Sequence, residues 1–294
     1  MTARHFYFGI VFAMITAIGL GSVTTQAKIF YAHGGDGLSL MFFRFVCSSI
    51  VLGGWMLWRR QSFKLPRDYR LNIILLGLIW SGSMICYLKS VELISVSLAV
   101  LVLYIYPLVV LGYSLIWGGQ RFSKIIVGVF ITAFAGLVLL LMTGRVEINL
   151  LGVLFALGGT AGAAYTFIKG AEVAPRVEPL LISVWVNILG IALILPLIRG
   201  DIHFPINSSS AWALAGATFC YIVAIACQFF ALSRLSAAVA AFVLNLEPVV
   251  SILLALLFLG ETLALSQWLG VVMILGVVFL AIGLLLKSDG EASR

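Results

Sequence analysis

Charge is scarce in this sequence. Of 294 residues only 10% are Asp, Glu, Lys or Arg, against about a quarter in an ordinary soluble domain, so a fully solvated globular surface is excluded. Histidine is scarcer still: His5, His33 and His203 fall at the ends of apolar runs or between them. The chain holds no HExxH, GxSxG or P-loop pattern, which removes the usual signatures of a metalloprotease, a serine hydrolase and a nucleotide-driven pump. The protein is read as not an enzyme. The four cysteines, Cys47, Cys86, Cys220 and Cys227, lie inside apolar segments with no CxxC spacing and no histidine nearby. They support neither a disulfide framework nor a metal site, and read as small apolar fillers. No cofactor is expected.

What is abundant is apolar. The hydrophobic share is 63% and the mean hydropathy +1.18, and a bilayer is crossed by about 20 such residues per helix. Runs bounded by charge or turn residues predict an all-α integral membrane protein with helices at 6–27, 37–58, 70–88, 95–117, 122–141, 151–170, 179–199, 209–231, 236–259 and 266–286. The connections are short, leaving no soluble domain for a separate activity. The first run follows Arg4 and His5 as a signal peptide would, with "TTQA" in the place of a cleavage site. It is too long for an h-region and has a counterpart later in the chain, so it is kept as a membrane helix.

The net charge of +7 suits membrane orientation rather than a nucleic-acid partner. With the N-terminus inside, thirteen Lys and Arg fall on the inner side and four on the outer, with Arg44 left within a span. The bias predicts that both termini are cytoplasmic.

The chain also repeats itself. An offset of 141 superposes Cys86, Ser95, Ala99, Val102, Leu103, Pro107, Val109, Leu115 and Gly119 on Cys227, Ser236, Ala240, Val243, Leu244, Pro248, Val250, Leu256 and Gly260. An offset of 143 places Gly9, Phe12, Ala13 and Gly19 on Gly152, Phe155, Ala156 and Gly162. This predicts a five-helix repeat over 1–145, a second over 146–287 and a tail at 288–294. Five is odd, so the second copy is expected to enter the membrane from the opposite side, an inverted-topology repeat of the kind carriers use. Charge agrees: "RRQSFKLPRDYR" at 59–70 has five basic residues, whereas the equivalent "RGDIHFPINSSS" at 199–210 has one.

The stretches "LKSVELISVSLAVLVLYIYPLVVLGYSLIWGGQRFS" and "FALSRLSAAVAAFVLNLEPVVSILLALLFLGETLALSQWLG" resemble the end of each repeat in the drug/metabolite transporter superfamily, EamA type. The shared marks are "YP" in the fourth helix, "EP" in the ninth and "LGE" at 259–261, while "GGQR" departs from the acidic residue more usual in the first repeat. The resemblance implies an inner-membrane secondary transporter, usually an exporter of amino acids or related small metabolites, with a central cavity between the repeats. A lipid flippase, a uniporter or channel of the same architecture, and a non-transport scaffold are the alternatives.

Glu247 is the expected centre of that cavity. It is the twelfth of about 24 residues in its span, hence near the midplane at 1.5 Å per residue, where ionisable groups mark solute or proton pathways. A structural acceptor for a neighbouring helix is the other reading. Pro248 and Pro107 lack an N–H, so each frees a carbonyl, of Leu244 and Leu103 respectively, and marks a hinge or site, the other reading being a pair of kinks that improve packing. Arg44 lies about 10 Å inside its helix end; snorkelling, a structural pair or a solute carboxylate would each account for it. Trp80 and Tyr221 are related by the offset of 141, and with Tyr104, Tyr165, Asn187, Gln228 and Asn245 they are the remaining candidates for lining the cavity. Small residues in "GGTAGAAYTFIKG" at 158–170 and at Gly128, Thr132 and Gly136 predict close helix packing. The expected partners are a small-molecule solute, protons as a candidate coupling ion, and the bilayer. Monomer and dimer both stand open.

Overall fold

The computed structural model describes residues 3–118, 124–141, 149–198, 202–203, 207–260 and 262–292, with side chains from residue 4 to 284. Twelve α-helices account for the fold, and no strand occurs among the described residues. They are α1 (Ala3–Ala32), α2 (Gly37–Trp58), α3 (Arg70–Leu93), α4 (Val96–Leu103), α5 (Tyr106–Ile116), α6 (Lys124–Leu141), α7 (Leu150–Val173), α8 (Pro179–Ile194), α9 (Ser208–Leu232), α10 (Ala237–Val243), α11 (Leu246–Leu259) and α12 (Leu265–Ala292). With α4–α5 and α10–α11 each taken as one broken rod, these form ten helical segments long and apolar enough to cross a membrane. Gly119, Gln120, Arg121, Arg145, Arg199, Glu261 and Arg294, on which parts of the motif and charge readings rest, lie outside the described residues.

The helices begin where side chains can satisfy their first amides. Asp36 Oδ1 accepts from the amides of Leu38 and Ser39 at 2.9 Å each, Asn149 caps α7, and Asn207 and Ser210 form a reciprocal box on α9. Asp36 also ties two connections together. Its Oδ2 takes the Ser39 hydroxyl at 2.6 Å and lies 2.7 Å from His203 Nδ1, while the His203 amide donates to Ser39 Oγ at 2.9 Å. Partial burial acts to raise the Asp36 carboxyl's pKa, but the bonds from Ser39, His203 and Leu38 outweigh it and hold the group below its ordinary value. A lowered carboxyl stabilises the fold above the unfolded aspartate value of about 3.9 and loses that contribution as pH falls through the folded value. Asp36→Ala should therefore cost about 1 kcal/mol at neutral pH and flatten the acid limb of a stability–pH curve, which thermal unfolding in detergent would read.

The two halves pack by the same contacts with the partners exchanged. α1 lies along α9, and α7 lies along α3. A β-carbon on Gly19 would come 2.9 Å from both Cys220 O and Ala224 Cβ; one on Gly162 would come 3.2 Å from Ile79 O and 2.6 Å from Ser83 Cβ. Residues 79 and 83 differ from 220 and 224 by the same 141 that relates the sequences. Gly9 against Leu235 and Gly152 against Ile94 repeat the relation. In a bilayer, where apolar contact alone does not bring helices together, such backbone approaches supply the packing. α2 meets α8 and α6 meets α12, the latter through Gly136 and Gly270. Gly128, expected to share that face, is exposed with nothing near its missing β-carbon.

Trp58 and Trp117 are exposed at the ends of α2 and α5, and Trp212 and Trp268 near the starts of α9 and α12. Tracing the alternating spans puts these pairs on opposite faces, as interfacial aromatic belts require.

Candidate functional site

The fourth and ninth spans break at matched places. α4 starts on Ser95, whose hydroxyl accepts from the Leu98 amide, and α10 on Ser236, whose hydroxyl accepts from the Val239 amide. Each short helix ends four or five residues before its proline, at Leu103 and Val243, leaving breaks at Tyr104–Ile105 and Leu244–Asn245. The chain does not unwind there. It tightens into three-residue bonds, Ile105 N–H to Val102 O at 3.1 Å, Asn245 N–H to Phe242 O at 3.0 Å and Glu247 N–H to Leu244 O at 2.9 Å. The last of these corrects the expectation for Pro248: the Leu244 carbonyl it displaces is taken by the Glu247 amide. An unpaired carbonyl at membrane depth would cost several kcal/mol, which is why the turn closes.

Asn245 serves this turn, its Nδ2 donating to Phe242 O at 2.8 Å. Glu247 follows in the first turn of α11, where the helix dipole favours a carboxylate. It is surrounded by the bundle but keeps some accessible surface. Tyr104, from the matching break in the other half, is its nearest electrostatic neighbour. Tyr106 and Tyr87 are its further electrostatic neighbours. The Tyr104 and Tyr106 rings are 5.8 Å apart, and Tyr106 stacks on Phe167 at 5.1 Å. Gly21 lets α1 come close behind, since a β-carbon there would sit 2.6 Å from the Glu247 carbonyl oxygen.

A second polar group brings together Arg44 of α2, Trp80 of α3 and Tyr221 of α9. The Arg44 guanidinium stands over the Tyr221 ring at 4.9 Å and forms no salt bridge among the described residues. Trp80 faces Tyr221, yet the indole N–H and the hydroxyl do not close a hydrogen bond of normal geometry. Arg44 Nε, Trp80 Nε1, Tyr221 Oη, Asn187 Oδ1 and both amide atoms of Gln228 are buried without a protein partner, as are the Ser48, Ser49 and Ser81 hydroxyls. Native interiors leave few such groups unpaired, and each costs about 1–3 kcal/mol if nothing meets it. The arrangement suits water or a polar solute.

Tyr31 connects the two groups, being an electrostatic neighbour of Arg44 and of Tyr87, which in turn neighbours Glu247. Tyr31, Tyr87 and Tyr106 were not among the residues singled out by sequence. Tyr106 had a signal, its place beside Pro107; Tyr31 and Tyr87 had none beyond polarity. Tyr165 is placed elsewhere, its charged neighbours being Lys169 and Glu172. The cysteines are free, and no group of three His, Cys, Asp or Glu suited to a metal occurs among the described residues.

The model of the EamA-like transporter family matches twice, over residues 7–142 and 150–283. The chain belongs to that family. It is 26% identical over 246 residues to YedA of Escherichia coli (strain K12), described as an uncharacterized inner membrane transporter, covering 82% of this chain and 80% of that one. An uncharacterized transporter of Archaeoglobus fulgidus is 24% identical over 278 residues, 95% of this chain and 97% of its own. A solved crystal structure superposes with a TM-score of 0.82 over 97% of this chain and 98% of the other at 20% identity, a likeness of fold. The protein is thus a membrane transporter with the ten-helix fold of the EamA family.

Proposed function

We propose that this EamA-like protein is an inner-membrane carrier, exporting amino acids or related zwitterionic metabolites by alternating access. The observation that carries the reading is a carboxylate, Glu247, set at the break of the ninth span beside Tyr104 of the matching break in the fourth, with the Arg44 guanidinium held over the Tyr221 ring elsewhere in the bundle. Glu247 is the group for a solute's ammonium and Arg44 the group for its carboxylate; Trp80 and Tyr221 stand beside Arg44, the unpaired amide atoms of Asn187 and Gln228 are further polar contacts for the solute, and Asn245 holds the turn. Pro107 and Pro248 mark the paired hinges. Halves 1–145 and 146–287 act as inverted repeats, a reading supported by the exchanged packing around Gly19 and Gly162. Both termini are cytoplasmic on the charge bias, and protons are the candidate coupling ion through Glu247.

The charge division has a direct test. Arg44→Gln should weaken the apparent affinity for amino acids about fivefold, the loss of roughly 1 kcal/mol, and leave binding of the corresponding primary amines unchanged. Tryptophan-quenching titrations of purified protein would show it. Equal weakening for both solute types would move Arg44 to a structural role.

A further inference from the structure

An open pocket lies away from the Glu247 and Arg44 groups, at the basic face that carries loop 59–70. It measures about 380 Å³ and is lined by Arg4, His5, Phe8 and Phe12 of α1 and by Arg234, just beyond α9. Three basic side chains share this space, and none of them pairs with an acidic side chain among the described residues. Arg234 is fixed in place. Its Nη1 donates to Phe230 O and Ser233 Oγ at 2.8 Å each, and its guanidinium stands 5.1 Å over Phe12 and 5.5 Å over Phe230, which stack on each other at 5.3 Å. Arg4 rests 5.8 Å over the Phe8 ring.

One nitrogen of Arg234 satisfies the end of α9, which accounts for the residue as a helix cap but not for a second arginine and a histidine gathered at the same cavity. Like charges side by side at one open pocket repel, and an anion relieves them; guanidinium forks fit phosphate oxygens in particular. The volume falls within the range of small-molecule sites, ~300–1,000 Å³. Tyr7 and Phe8 are exposed beside it on the outer surface of α1, giving an apolar border next to the charge. Basic pockets between helices at a membrane surface take phospholipid head groups on these terms.

We infer that the cavity between the start of α1 and the end of α9 binds a phosphate group, and that an anionic phospholipid head group supplies it. The test is thermal unfolding of the full-length protein in detergent with added dioleoylphosphatidylglycerol, dioleoylphosphatidylcholine or inorganic phosphate. Phosphatidylglycerol should raise the wild-type midpoint by roughly 3–5 °C, and phosphatidylcholine should not. The Arg4→Gln/Arg234→Gln double variant should lose most of that shift, whereas Lys64→Gln, an exposed charge on the same face outside the cavity, should keep it. Arg4→Gln alone, whose recorded contact is with Phe8, serves if the double variant does not fold. Inorganic phosphate giving the same arginine-dependent shift would keep the phosphate site and assign it a soluble source. An equal phosphatidylglycerol shift in every variant, or no shift with any probe in the wild type, overturns the inference.

Discussion

Glu247→Gln should reduce amino-acid flux into proteoliposomes about ten- to a hundredfold while leaving the protein folded. A hydrogen bond to a charged group is worth about 1.5–3 kcal/mol, and the amide keeps the shape of the side chain but offers a solute's ammonium no charge. Folding should tolerate the change because two terms oppose: the helix dipole loses a favourable carboxylate, worth about 0.3–1 kcal/mol, and the bundle no longer holds a desolvated charge. If protons couple through this carboxylate, an imposed pH gradient should accelerate the wild type and have no effect on the variant. Normal flux in Glu247→Gln would make the residue a helix-packing acceptor.

Gly19→Val and Gly162→Val should each destabilise the bundle, and by similar amounts. The first β-carbon meets a backbone carbonyl and a side chain at 2.9 Å, the second meets Ser83 Cβ at 2.6 Å, and neither neighbour is a flexible tip that can swing away. Overpacking costs typically about 1–3 kcal/mol, and here it separates α1 from α9 or α7 from α3 along the seams that join the halves. Gly54→Val, with nothing within 4 Å of its β-carbon, should be nearly neutral. Unfolding midpoints that fall at both seam positions but hold at Gly54 would support matched packing in the two halves. A drop at one seam position only would contradict it.

Much of this architecture was legible in the sequence because a bilayer imposes one rule, a run of apolar residues per crossing. The ten runs stand in the structure as ten spans, though α1 extends to Ala3–Ala32 where 6–27 was expected, since hydropathy marks the bilayer and not the helix end. The offset of 141 found Trp80 with Tyr221 and pointed to both helix breaks. What it could not supply is facing. A helix apolar all round has no polar side to orient it, so Tyr31 and Tyr87 looked no different from Tyr165, and only packing separates them. The local outcome at Pro248 was likewise hidden: a missing N–H is readable, but the Glu247 amide closing on the Leu244 carbonyl depends on the turn around it.

The central claim, a carrier with one zwitterion site between two moving halves, is tested most directly by counterflow. Proteoliposomes loaded with an unlabelled amino acid and diluted into a trace of the labelled one should accumulate label transiently above its equilibrium level, because an alternating-access carrier exchanges solute across a single site. Label that only climbs to equilibrium, as through a channel, or that enters for no member of an amino-acid panel, would contradict the account.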